Sequence, residues 1–229
     1  MPANSGEGLF NAHYLGDTQQ TTEQHKFGKG SMLIGEKKGL TPIRGLASGF
    51  IAASSDSSEA IHKMTITVWI RPVTPPEGVP NSFKGEAHIL ARYVGNGMKA
   101  GSFIYNFTPK AFNFWYVSAD EGNIQKFRSA PLPFIEPDEW SHMALTFDEG
   151  NVTFYFNGLP IAQADAVHQG APSIGAPQGK SSILGFSSLL PGDCIDDFGV
   201  FEGRALTEPE IDRIYTKGLE EFIKPPSKK

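Results

Sequence analysis

The sequence predicts an all-β fold, a two-sheet antiparallel sandwich with one C-terminal helix, and three observations carry that prediction. Short runs rich in Val, Ile, Thr, Tyr, Phe and Trp alternate apolar with polar residues, and residues 64–71 (MTITVWIR) are the clearest of them. Gly, Pro, Asn and Asp punctuate the runs at the short intervals typical of sandwiches and barrels. Helical periodicity sets in once, after Thr207.

In chain order, residues 1–60 are weakly patterned and predict one or two strands within long loops, near 31–34 and 49–53. The strand at 64–71 stops at Pro72, and a Pro-rich loop runs to about Lys84. Strands follow at 88–93 and 101–108 around a Gly95-Asn96-Gly97 turn, then at 111–119 and 123–129 around Asp120-Glu121-Gly122. A Pro-rich crossing, 131–137, leads to strands at 140–147 and 152–156. Asn157-Gly158 predicts a type I′ turn, because both residues tolerate positive φ, and 159–164 is its return strand. Strands at 181–186 and 194–201 complete the sheets. Thr207-Glu208-Pro209-Glu210 is a capping box. Ile211, Ile214, Tyr215, Leu219 and Phe222 then share one helical stripe, expected against the sandwich and ended by Lys224-Pro225-Pro226. Neither a repeat nor a linker appears, so one domain is expected over 1–229, with its core at roughly 30–222.

Composition narrows the function. The 17 Phe suit the broad interior between two stacked sheets. A net charge of −5, with no Lys/Arg run beyond Lys228-Lys229, argues against nucleic acid as a partner, because phosphate binding needs clustered cations. No apolar run approaches the roughly 20 residues of a membrane-spanning helix. The lone Cys194 rules out an internal disulfide and a thiolate metal site, and reads as a small buried hydrophobe. The opening MPANSGEG has no signal-peptide pattern, which leaves a cytoplasmic protein or a removed leader as the two expectations.

Three ordered segments are similar to a known family. They are MTITVWIRP (64–72), EWSHMALTFDEGNVTFYFNGL (139–159), and the stretch 183–215 with ILGF, CIDDFGVF and RALTEPEIDRIY. The set resembles the laminin-G-like, concanavalin A-like jelly rolls, with their Trp-x-His strand, Tyr-x-Asn-Gly hairpin and closing Ile-Asp-Asp strand before a Glu-Ile helix. The resemblance implies a jelly-roll path through the two sheets. It leaves function open, since such folds serve lectins, carbohydrate-binding modules, adhesion domains and some glycosidases.

A glycosidase of this kind carries Glu and Asp at alternate strand positions, because retaining hydrolysis needs two carboxyls about 5–5.5 Å apart. No strand here has that pattern: Glu136, Asp138 and Glu139 fall in a Pro-broken loop and Asp148-Glu149 in a turn. Asp196-Asp197 are neighbours, expected on opposite faces. No catalytic residue, phosphate loop, nucleophile elbow or His-x-x-x-His pair is found, so the expectation is not an enzyme. Asp196 matches the place where the resemblance implies a structural calcium, with Asp197 a looser match. The other reading is a sheet-edge carboxylate bound by backbone amides.

Alternation then sorts faces. Phe112, Phe114 and Tyr116 oppose Asn113, Trp115 and Val117; Met143, Leu145 and Phe147 oppose His142, Ala144 and Thr146; Val152, Phe154 and Phe156 oppose Thr153, Tyr155 and Asn157. The apolar sets are expected between the sheets. Asn113, Trp115, His142 and Tyr155 are expected outside, where rings and hydrogen-bonding groups together suit a sugar; the other reading is a surface covered by N-terminal loops or the final helix. Trp69 reads as core, with sugar stacking as its alternative. The function expected is a non-catalytic, lectin-like carbohydrate-binding module of an extracellular or cell-surface protein, with a glycan or polysaccharide as partner. A protein-binding adhesion or assembly domain is the alternative, and an enzyme with unfamiliar acids the third.

Overall fold

A computed structural model describes residues 10–15, 18–35, 49–54, 59–74, 87–94, 98–108, 111–119, 123–131, 135–164, 170–176, 182–187, 189 and 191–224; for 10–15, 49–54, 87–94, 108 and 182–187 it describes the backbone alone. The turns expected at 95–97 and 120–122, the end of the loop near Lys84, and Pro225-Pro226 lie outside these residues. The strands are β1 (Phe10–Leu15), β2 (Gln19–Thr21), β3 (Ser31–Leu33), β4 (Gly49–Ser54), β5 (Lys63–Arg71), β6 (Ala87–Val94) and β7 (Phe103–Thr108). There follow β8 (Ala111–Val117), β9 (Ile124–Arg128), β10 (Ser141–Asp148), β11 (Asn151–Phe156), β12 (Leu159–Ile161), β13 (Ser182–Ser187) and β14 (Cys194–Glu202). They form two antiparallel sheets of seven: β1-β4-β13-β6-β7-β8-β9 and β12-β11-β10-β5-β14-β3-β2. This is an all-β jelly-roll sandwich.

The core is the seam between the sheets, and it is made by alternation. The first sheet contributes Phe103, Tyr105, Phe107, Phe112, Phe114, Tyr116 and Phe127; the second contributes Met64, Ile66, Val68, Ile70, Met143, Leu145, Phe147, Val152 and Phe154. Phe112 meets Phe154 at 6.1 Å and Tyr116 meets Phe147 edge-on at 5.1 Å, so the rings interdigitate across the seam. Each fully buried aromatic contributes roughly 1.5–3 kcal/mol, which is why the chain spends so many Phe here.

Among the described residues, four strands, not one or two, lie before residue 60. β2 and β3 are three residues each and pair as a hairpin on the edge of the second sheet. Neighbours hold them, with Cys194 and Ile195 opposite Leu33 and Met32, so their own pattern is faint.

The C-terminal helix starts as expected. In α1 (Glu208–Lys217), Glu210 Oε2 accepts the Thr207 backbone N–H at 2.9 Å. The expected single helix is, however, two. Gly218 takes φ +82°, ends α1, and precedes α2 (Leu219–Ile223). Left-handed φ is what glycine supplies at a helix end. Ile211 and Ile214 are buried against Ala144, Tyr155 and Leu206, so α1 covers the outer face of the second sheet.

Candidate functional site

The four expected ligand residues do face away from the core, but they do not form one groove. Asn113 and Trp115 are on β8 in the first sheet, whereas His142 and Tyr155 are on β10 and β11 in the second. The core lies between the pairs, so they sit on opposite outer faces of the sandwich. Alternation reports which way a side chain points; it does not report which sheet its strand joins.

His142 and Tyr155 belong to a closed face. Tyr155 is 5% exposed and packs with Ile211 and Ile214 of α1. His142 is fully buried; its Nε2 lies 2.8 Å from Thr67 Oγ1, and burial pushes its pKa down to about 3, so the ring is neutral. Trp69, 1% exposed, is the centre of this face. Its indole stacks on Tyr215 at 5.4 Å, tilts against His142 at 5.3 Å and takes the edge of Phe27 at 5.8 Å. Lys26 Nζ stands 4.4 Å above the same ring. The β2–β3 loop and α1 therefore close over Trp69 from two sides. Trp69 Nε1 and His142 Nδ1 find no hydrogen-bond partner among the described residues. A proton on Nε2, donated to Thr67, leaves Nδ1 as a bare lone pair, a smaller penalty than a buried orphan N–H.

Asp196 and Asp197 lie at the rim of the closed face. Between Asp196 and Gly199 the pairing of β14 with β5 slips, and Asp197 takes φ +44°. This bulge turns both carboxylates to the same side, where a regular strand would oppose them. Asp196 Oδ2 accepts the N–H groups of Lys26 (2.6 Å) and Phe27 (3.0 Å), and its Oδ1 accepts that of Asp197 (2.9 Å). Asp197 Oδ2 accepts the Leu219 N–H at 2.6 Å, and burial raises its pKa. Calcium needs oxygen ligands, and the groups facing Asp196 are positive N–H ends. No cluster of three or more His, Cys, Asp or Glu able to hold a metal exists among the described residues. Among the described residues, the groups that meet Asp196 are N–H donors, a set that does not fit calcium. It is the amide-bound carboxylate of the other reading, and it fastens the β2–β3 loop over Trp69.

Other acids also serve the fold. Asp138 pairs with Arg71 at 2.9 Å and accepts the Thr74 hydroxyl at 2.9 Å, tying the Pro-rich crossing to the end of β5. Asp148 pairs with Lys63 at 2.9 Å.

Asn113 and Trp115 belong to the outer face of the first sheet. Both are half-buried. Across β7, β8 and β9 the register aligns two rows: Ile104, Trp115, Lys126 and Asn106, Asn113, Arg128. Asn113 Nδ2 donates to Asn106 Oδ1 at 2.9 Å, and Lys126 Nζ lies 5.1 Å above the Trp115 ring. Sequence reasoning missed Lys126 and Arg128. Their signal was present as the exposed positions of a short alternating strand, IQKFR.

A sequence profile described as the concanavalin A-like lectin/glucanases superfamily matches residues 47–212. The chain belongs to this superfamily. No curated protein matches it by sequence. Among solved structures, it is similar to the binding domain of botulinum neurotoxin serotype G (TM-score 0.61, 15% identity, 93% of this chain and 47% of that one). It is similar also to the binding domain of Paraclostridial Mosquitocidal Protein 1 (TM-score 0.60, 15% identity, 90% and 47%). A third is a structure of botulinum neurotoxin type C, a toxin whose cell entry is dependent upon interaction with two ganglioside molecules (TM-score 0.55, 16% identity, 90% and 46%). The chain thus spans less than half the length of each of these structures.

Within the concanavalin A-like sandwich, the segments that carried the resemblance build the closed face. Asn157 and Gly158 form the turn at φ +48° and +81°, and Asn157 Oδ1 accepts the His142 N–H at 2.8 Å. A Cβ on Gly158 would stand 2.8 Å from Tyr215 Cδ1, so glycine is also needed to let the helix approach. The motif residues therefore dock the C-terminal helix.

Proposed function

We propose that this concanavalin A-like chain is a non-catalytic carbohydrate-binding module, working at a cell surface or outside the cell, and that its ligand sits on the outer face of the first sheet. The observation that carries this is the half-buried indole of Trp115 beside the half-buried amide of Asn113, which is braced by the buried Asn106, on the face opposite the one the helices cover. An aromatic face binds the C–H side of a sugar ring while amides bind its hydroxyls. Toxin domains of similar fold support the reading: the binding domain of botulinum neurotoxin serotype G, and botulinum neurotoxin type C, whose cell entry depends on interaction with two ganglioside molecules. The test is a glycan array on wild type and Trp115→Ala. Glycans retained by wild type and lost by the variant are expected. An array with no hits, or hits unchanged in Trp115→Ala, overturns the reading.

A further inference from the structure

The charges of the two sheets differ sharply. Acids outnumber bases in the chain, 25 to 20. Yet none of the seven strands of the first sheet contains Asp or Glu, whereas the second sheet carries Asp148, Asp196, Asp197 and Glu202 within its strands. The edge strand β9 of the acid-free sheet adds two cations, Lys126 and Arg128, both exposed and on the face of Trp115. They stand two residues apart, roughly 7 Å along the strand, and lie beside Trp115 and Asn113 respectively. Each row across the face thus ends in a cation: ring then ammonium, amides then guanidinium.

We infer that the ligand of this face is an acidic glycan, one carrying carboxylate or sulfate groups, held by Lys126 and Arg128 while a sugar ring stacks on Trp115. The inference rests on the glycan-binding reading and names its ligand class. Two details give it a mechanism. Lys126 Nζ covers the Trp115 ring in the free protein, so any sugar that stacks there must displace it, giving up a cation–π contact. A neutral sugar offers the ammonium only hydroxyl acceptors in return, whereas an acidic one offers the stronger charge-assisted ion pair that draws Lys126 off the ring as the ring is covered. Arg128, at the end of the amide row, takes a second acidic group in the forked geometry that carboxylate and sulfate both accept.

The experiment uses matched pairs that differ in charge: sialyllactose and its carboxyl methyl ester, polygalacturonate and its methyl ester, dextran sulfate and dextran. Binding to wild type, Trp115→Ala and Lys126→Gln/Arg128→Gln is followed by titration calorimetry at low and high NaCl. Wild type is expected to prefer the acidic member of at least one pair by about tenfold or more, as charge-assisted contacts allow, and the preference shrinks with salt. The first two pairs distinguish carboxylate recognition and the third sulfate. In the double variant the ratio falls to near one, and Trp115→Ala weakens the preferred member. Equal binding of both members by wild type, or a ratio that survives the double variant, overturns the acidic ligand and leaves glycan binding standing. Binding of neither member of any pair overturns both.

Discussion

Tyr215 of α1 lies flat on Trp69 of β5, ring centroids 5.4 Å and planes 13° apart. Helix α1 is thereby part of the sandwich, because Trp69 lies on the central strand β5 and, among the described residues, is roofed by α1 and by the β2–β3 loop. Such a stack contributes about 0.5–1.5 kcal/mol beyond the area it buries. Tyr215→Ala is expected to cost about 2 kcal/mol, since the ring is only half-buried, and Trp69→Ala about 3–5 kcal/mol. Urea unfolding with a shared slope measures both. A Tyr215→Ala midpoint equal to that of wild type would show that the helix rests on the sheet without supporting it.

Stability is expected to fall between pH 7 and pH 5. His142 is buried and neutral, its pKa depressed to about 3 by desolvation. The unfolded chain binds a proton near pH 6.5 and the folded chain does not, so stability rises with pH across this window and is flat above it. One such group costs about 2 kcal/mol by pH 5. Glu210, held below its usual range first by the Thr207 N–H, loses its contribution only as the pH falls below about 4.5. Burial raises Asp197, which works with the opposite sign. His142→Gln should flatten the slope between pH 6.5 and 5; an unchanged slope would assign it to another group.

Asp196 is expected to stabilise the protein without calcium. Its carboxylate joins three backbone N–H groups, and charge-assisted bonds of this kind are worth more than neutral ones. Asp196→Ala should cost about 1–3 kcal/mol by leaving donors unpaired. Thermal melts in calcium and in chelator should show the same loss. A calcium-dependent rise in wild type that vanishes in Asp196→Ala would restore the metal.

Much of this was legible from alternation. The inward sets around Phe114, Leu145 and Phe154 fell between the sheets because strand side chains have a period of two. Sheet membership is nonlocal, so Trp115 and His142 looked like neighbours although the core separates them. The rule that Asp196 and Asp197 must diverge failed at a bulge with no sequence mark beyond the acids themselves. Gly218 did mark the helix break, but the stripe from Ile211 to Phe222 continues across it and conceals it. Lys26 and Phe27 reach Asp196 across about 170 positions of chain, a distance no local pattern encodes.

The two outer faces should separate in one mutational comparison. Trp115 is half-buried on the first sheet, and its ring meets Lys126. Removing it leaves no core cavity, so Trp115→Ala should shift the urea midpoint little while weakening glycan binding by more than about 1 kcal/mol, a usual threshold for a binding hot spot. Tyr155 is the opposite case. It is 5% exposed beneath Ile211 and Ile214, so Tyr155→Ala should cost about 3–5 kcal/mol of stability by emptying a packed site. Glycan affinity, measured where that variant is still folded, should match wild type, because the core stands between Tyr155 and the ligand. Lost binding in folded Tyr155→Ala, with binding intact in Trp115→Ala, would move the ligand to the helix-covered face and require the helices to open.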